Sequence, residues 1–425
     1  IAQITTGQIP DILRGVMQPK NYLWNSIGSF LQSAISPALL LVITRLHGLT
    51  DSGIFSFALS LSVVFWAIGL WGGRTYQVSD VRHEFSHSSY IAVKLATSLI
   101  MLVGAILFCL VNGYDVFKTS LIMTLVLFKA FEAIADALYG VLQLHDKLYL
   151  VGYSLTIKAL AGFVGFVVVD LLTHNILLGV LAVTSINGLV VLLYDWPRAR
   201  RYEPIRLCLR SGFVVKKLRQ IACIMQRCAP VFLTMFLTMF SLNIPRYFLD
   251  RYQFSQELAL FGIMAMPITL LSLFISFIIQ PNIVQLSRLY HKRQFTAFHN
   301  LVNMIILVVL IVSVVTLLAT WLVGAPLLAL LFNNQILHYR TELLIMVVGA
   351  VASAVVSIYI NILTVLRRFR GQFITLFVSN VVLAVVSAYV VRQYGMFGSV
   401  MCFMVVGAVQ ALTLYLIYRA ALKNS

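Results

Sequence analysis

Apolar residues recur along this chain in runs of about twenty, the length at which an α-helix crosses a hydrocarbon core, with short polar intervals between them. The pattern predicts spans near Tyr22–Ile43, Ile54–Trp71, Ile91–Val111, Thr119–Val141, Leu150–Leu171 and Asn175–Tyr194. After a polar interval it resumes near Cys228–Leu249, Leu258–Gln280, Leu301–Val323, Leu343–Leu366, Phe373–Val391 and Gly395–Tyr418. The predicted architecture is all-α and polytopic, with twelve transmembrane helices in two groups of six. The segments are 1–20 (interfacial N-terminal segment), 21–196 (first lobe), 197–220 (basic linker), 221–419 (second lobe) and 420–425 (tail). Ile9, Ile12, Leu13, Val16 and Met17, with Pro10 at the start, predict a short amphipathic helix ahead of the first span.

Polar positions inside the spans are not scattered. Asn25, Ser29, Gln32 and Ser36 are spaced by four, three and four residues, which puts them on one face of the first helix. Thr234, Thr238 and Ser241 do the same on the seventh. In lipid such a stripe must face protein or water, so it either packs helices together or lines a cavity, and its presence in both halves favours the cavity. An offset of 209 residues lays Gly53–Leu61 over Gly262–Leu270 and one polar series over the other. This indicates two parallel six-span repeats around a central cavity. Pro37 and Pro267 permit bends in the first and eighth spans.

Two lysines, Lys129 and Lys158, fall inside predicted spans, and Glu132 and Asp136 share the fourth span with Lys129. A central Lys or Asp costs about 2.5–3.5 kcal/mol even on lenient insertion scales, so such residues mark function by default. Either the charges neutralise one another and lock the fourth and fifth helices, or Lys129 and Lys158 form a cationic surface for an anionic substrate. In the second case Glu132 or Asp136 tunes the surface or exchanges a proton or sodium ion. Arg45, Arg246 and Arg251 at one end of the spans and Arg74 at the other extend the positive path, though each also fits ordinary snorkelling.

Composition adds a class and an orientation. The 425 residues are 60% hydrophobic and 11% charged, and the mean hydropathy of +0.94 lies far above that of soluble chains. The net charge of +17 sits mainly in alternate loops: Arg74 and Arg82; Lys147; the cluster Arg198–Arg219; Arg288, Lys292 and Arg293; and Arg367, Arg368 and Arg370. That asymmetry predicts cytoplasmic termini and contact with anionic lipids rather than nucleic-acid binding. The five cysteines lack metal-site spacing. No P-loop, nucleophile elbow or paired-carboxylate motif is present, so neither a cofactor nor an enzymatic activity is expected.

Four short segments resemble the polysaccharide-transport (Wzx-like) flippases: Thr44-Arg-Leu-His-Gly-Leu-Thr-Asp-Ser-Gly-Ile-Phe-Ser-Phe-Ala58, Arg74-Thr-Tyr-Gln-Val-Ser-Asp80, Gly140-Val-Leu-Gln143 and Asn243-Ile-Pro-Arg-Tyr247. The resemblance implies the fold of the multidrug/oligosaccharidyl-lipid/polysaccharide exporters, two six-helix lobes in a V around a cavity lined by the first, second, seventh and eighth helices. It implies a substrate of oligosaccharide repeat units on undecaprenyl diphosphate, moved from inner to outer leaflet of a bacterial plasma membrane for a downstream polymerase or ligase. Through the Gln-Val-Ser-Asp segment it points toward teichoic-acid repeat units. The competing expectations are an ion-coupled drug or metabolite antiporter of the same superfamily and, more remotely, a membrane glycosyltransferase or polymerase.

Overall fold

The structure, a computed structural model, describes residues 19–79, 84–204, 211–252, 254–366 and 368–423. The amphipathic helix expected at Ile9–Met17, and Arg82 and Arg367 of the basic loops, lie outside these residues. Among the described residues there is no strand. The helices are α1 (Pro19–Leu70), α2 (Gly73–Ser79), α3 (His87–Asn112), α4 (Val116–Leu144), α5 (Leu148–Thr173) and α6 (Ile176–Val190). They continue with α7 (Trp196–Tyr202), α8 (Ser211–Arg251), α9 (Ser255–Met264), α10 (Met266–His291), α11 (Phe295–Ala319), α12 (Ala325–Leu331), α13 (Arg340–Val365) and α14 (Phe369–Lys423). Single π turns at Val191–Asp195 and Thr320–Gly324 join α6 to α7 and α11 to α12. All twelve predicted spans are helical. Eight of the described helices are long and apolar enough to cross a membrane, which makes this a multi-pass membrane protein.

The two longest helices each contain two spans. Gly48 has φ 85° inside α1, a conformation that L side chains avoid. The first limb of α1 runs parallel to α5: Asn21 Nδ2 donates to Asp146 O (2.9 Å), Trp24 packs on Tyr153 (4.6 Å), and Gly28 sits on the backbone of Gly152. The second limb runs parallel to α4, with Trp66 beside Lys129 and Gly69 beside Ala133. Because α4 and α5 form an antiparallel hairpin, the chain reverses direction at Gly48. Gly395 (φ 52°) does the same in α14, where Gly371 meets Ile417 and Gly398 meets Val390 across the hairpin. The eighth span also breaks, at Ala265, so that Pro267 opens α10 where its missing N–H is harmless.

The chain divides into two compact units: Ile1–Leu39 with Phe65–Phe232, and Leu40–Val64 with Leu233–Ser425. The first is centred on α4, whose buried Ala135, Leu138, Val141 and Leu142 pack with Ile91, Leu150, Val151 and Val191. The second packs α10, α11, α13 and the end of α14 around Phe298, Val302, Ile358, Leu363 and Leu414. The tip of α1 belongs to it: Gly53 abuts the backbone of Ser255, and Ser56 packs on Gly262. Large side chains stand exposed along both units, Val111 at 87% and Leu172 at 78% among them, as a lipid-facing surface requires.

Candidate functional site

The chemistry of the first unit is organised by one face of α4. Lys129, Glu132, Asp136, Tyr139 and Gln143 follow at intervals of three and four residues and form a single stripe. In an apolar environment each charge in it requires a partner, and the neighbouring helices supply them.

At one end Lys129 Nζ lies 2.7 Å from Glu132 Oε2 and 4.8 Å from the centroid of the Trp66 ring. Gln32 of α1 donates to Glu132 Oε1 at 2.5 Å, so a residue of the first-helix polar series reaches the charged face. In the middle Asp136 is shared. Lys94 of α3 lies 2.8 Å from Oδ2, and Arg74 of α2 lies 3.5 Å from Oδ1. Lys94 also donates to Leu70 O (2.6 Å), a carbonyl left open where α1 ends. Arg74 donates from Nε and Nη2 to Gln143 Oε1 (3.1 and 2.9 Å). At the far end Lys158 of α5 pairs with Asp195 (2.7 Å) and donates to the Tyr139 hydroxyl (2.8 Å).

This arrangement alters the sequence expectation in two ways. Lys129 and Lys158 are not the only basic residues within the spans, since Lys94 is 1% exposed in the third. Near the start of its span it fits ordinary snorkelling. Lys158 also does not join the Lys129 group. Its partner is Asp195, just beyond the predicted sixth span, carried inward by the π turn; only the distance in space, not in sequence, reveals the pair. The network holds four cations against three carboxylates, leaving one positive charge around Asp136, where the Arg74 side chain is 31% exposed.

The second unit holds the remaining predicted charges, Arg45, Arg246 and Arg251, each with different partners. Arg45 donates to the carbonyls of Leu330 and, at 2.7 Å, Leu331. It therefore caps the C-terminal end of α12, the negative end of the helix dipole, beside a cavity of about 380 Å³ lined by Ala329, Phe332, Asn333 and Asn334. Arg246 is half-buried, with its guanidinium over Phe261 (5.0 Å to the ring centroid). Its Nε is buried without a hydrogen-bond partner, and among the described residues no carboxylate pairs with it. Arg251 is exposed, 3.5 Å from the Tyr247 hydroxyl. Of the polar series on α8, Thr238 donates to Thr234 O (2.8 Å) and Ser241 accepts from Gln410 of α14 (3.2 Å), so part of that stripe fastens helices. Back in the first unit, Asn25, Ser29 and Ser36 are half-buried on α1.

No protein-family model matches the chain. Its helices superpose on the lipid II flippase MurJ in an inward closed conformation with a TM-score of 0.65, at 12% identity over 93% of this chain and 87% of that one. An inward-facing multidrug resistance MATE family transporter of the MOP superfamily gives 0.62, at 14% identity over 96% of both chains. A MOP superfamily transporter from Pyrococcus furiosus, reported with a binding pocket of reversed polarity, gives 0.63, at 14% identity over 94% of both. The chain has the MOP-exporter fold. In sequence it is similar to the capsular polysaccharide biosynthesis protein CapF of Staphylococcus aureus, 24% identical over 318 residues, 74% of this chain and 78% of that protein. On the exporter fold the charge network of α4 belongs to the first unit alone. Among the described residues the buried polar side chains of α14 are uncharged.

Proposed function

We propose that this protein is a flippase for anionic, lipid-linked saccharide precursors of a cell-surface polymer. The observation that carries the reading is the charge balance of the first unit. Glu132, Asp136 and Asp195 are each held by a cation and one positive charge is left over, so a cationic drug finds no free carboxylate in this network. The surplus charge at Arg74 suits a diphosphate head, and in the second unit Arg246, whose Nε is buried without a hydrogen-bond partner, is a separate cation open to an anion. The exporter fold and the capsular-polysaccharide relative support the same reading.

The substrate is an oligosaccharide repeat unit on undecaprenyl diphosphate, of teichoic-acid or capsular type, carried from inner to outer leaflet by alternating access and then handed to a polymerase or ligase. The termini are cytoplasmic, and the basic loops contact anionic lipids. A potential negative inside contributes about 2.3 kcal/mol per charge per 100 mV to outward movement of an anion. Coupling to sodium or protons through Glu132 or Asp136 would first have to part an existing ion pair.

Reconstituted transbilayer movement of a fluorescent undecaprenyl-diphosphate oligosaccharide tests this, with and without an imposed potential and an ion gradient. Movement that follows the potential is expected. Folded protein that moves no such lipid under any condition, but extrudes cationic drugs against a sodium or proton gradient, would establish the antiporter instead.

A further inference from the structure

The pair formed by Lys158 and Asp195 differs from the rest of the network in its depth and in its surroundings. Lys158 is 3% exposed and Asp195 fully buried. The ammonium is held by Asp195 Oδ2 at 2.7 Å and by the Tyr139 hydroxyl at 2.8 Å. Tyr139 Oη in turn lies 2.8 Å from Ser154 Oγ and 3.4 Å from Asp195 Oδ2. Asp195 Oδ1 is buried and has no hydrogen-bond partner. The other charged or titratable groups facing this cluster are Glu132 of α4, Arg74 of α2, Tyr149 and Tyr153 of α5, and Tyr194 with Arg198 around the π turn.

Around the Lys158 nitrogen the accepting oxygens are those of a carboxylate and a phenol, with a serine hydroxyl behind them. Hard oxygens of this kind suit a small cation rather than a soft metal. Broken helices in transporters commonly offer carboxylate and backbone oxygens to a sodium ion or a proton at such points, and a π turn is a break of this type. Here the position is filled by an ammonium covalently attached to α5, which cannot dissociate. A buried carboxylate without a cation is strongly unfavourable, so removing that ammonium leaves a site that must recruit a replacement.

We propose that Lys158 is a tethered counter-ion: it occupies a monovalent-cation position made by Asp195, Tyr139 and Ser154, and so frees the first unit from any exchangeable ion there. A neutral residue at position 158 would uncover a site for sodium or a proton. This rests on the transporter reading only for its meaning, because ion binding can be measured without substrate.

The test is the thermal stability of the purified full chain in detergent, in sodium chloride against choline chloride at pH 7.5, and in choline at pH 5.5 against pH 7.5. The wild-type protein is expected to melt at the same temperature in sodium and in choline. Lys158→Met is expected to gain about 5 °C with about 100 mM sodium, if it binds near millimolar, or a comparable amount on acidification, the two arms separating metal ion from proton. Adding Asp195→Asn should abolish either response. The proposal is overturned by a folded Lys158→Met insensitive to both ions, or by a response that survives Asp195→Asn. Failure of both Lys158→Met and Lys158→Gln to fold in high sodium or at low pH would overturn it too, because a free cation should then have replaced the ammonium.

Discussion

The buried polar face of α4 and that of α14 are built from different materials. Along α4 it consists of Lys129 paired with Glu132, Asp136 shared by Arg74 and Lys94 of neighbouring helices, and Tyr139 bonded to the Lys158–Asp195 pair. Along α14 it consists of Gln372, Thr375, Asn380, Ser387, Ser399 and Gln410, all buried and none charged. Asn380 donates to Leu237 O (2.9 Å), Gln372 to Ile360 O (3.2 Å), and Gln410 to Ser241. Neutral amides fasten helices and are indifferent to voltage or to the charge of a passing substrate. Ion pairs in a low dielectric respond to both. On this comparison buried charge is concentrated in the first unit and the second is fastened mainly by neutral groups, with Arg45, Arg246 and Arg251 as the charged exceptions among the predicted site residues.

The comparison breaks most readily at its deepest pair. Asp195→Ala leaves the Lys158 ammonium uncompensated and should cost about 3–5 kcal/mol, read as a large fall in melting temperature or loss of folded protein. Asn380→Ala removes only a neutral amide bond and should cost about 1 kcal/mol. If the two substitutions were equally damaging, the distinction between charged and neutral faces would fail. Arg246→Ala sharpens one exception: substrate movement should fall about tenfold, the effect of losing roughly 1.4 kcal/mol of interaction, while the melting temperature barely changes, because Arg246 has no carboxylate to strand.

Smaller effects test the two hairpin reversals. Gly395→Ala forces a Cβ onto a positive φ and against Glu257 Oε2, whereas a Cβ at Gly48 meets open space. Both should destabilise, Gly48→Ala by about 1–2 kcal/mol from the backbone alone and Gly395→Ala by more, which thermal melts can rank. The smallest effect concerns Glu257 itself, just ahead of the eighth span, which accepts from Met396 N (2.6 Å). Burial pushes its carboxyl above the usual range, and the Met396 bond offsets this only in part. A raised acid pKa means that the folded state holds the proton more tightly, so this group favours folding at low pH. Its contribution is lost as pH rises through the folded value. Glu257→Gln should therefore flatten the pH dependence of stability above the normal Glu pKa of about 4.3.

Much of the fold was legible because lipid imposes a length and an apolar threshold that sequence reports directly. The α4 stripe was legible too, since Lys129, Glu132 and Asp136 share a helical period. Lys94 was not: it stands near the start of its span, where a lysine fits ordinary snorkelling, and its role depends on Leu70 and Asp136 arriving beside it. Asp195 lay outside the predicted boundary, and the π turn that brings it inward has no signature in Val191–Asp195. Arg45 was placed correctly at a helix end, but the carbonyls it caps are nearly three hundred residues away in sequence.

The Lys94–Asp136 bridge also bears on the order in which the chain enters its membrane. Lys94 is synthesised 42 residues before Asp136, so α3 precedes its carboxylate partner and has only the Leu70 carbonyl for its ammonium. Its mean hydropathy of 2.3 over the best window allows that. The following helix, α4, is not among the eight apolar enough to insert on composition alone. Its carboxylate then has a cation already present in the preceding segment, and a neutral residue at position 94 is expected to be felt first as a defect of α4 insertion.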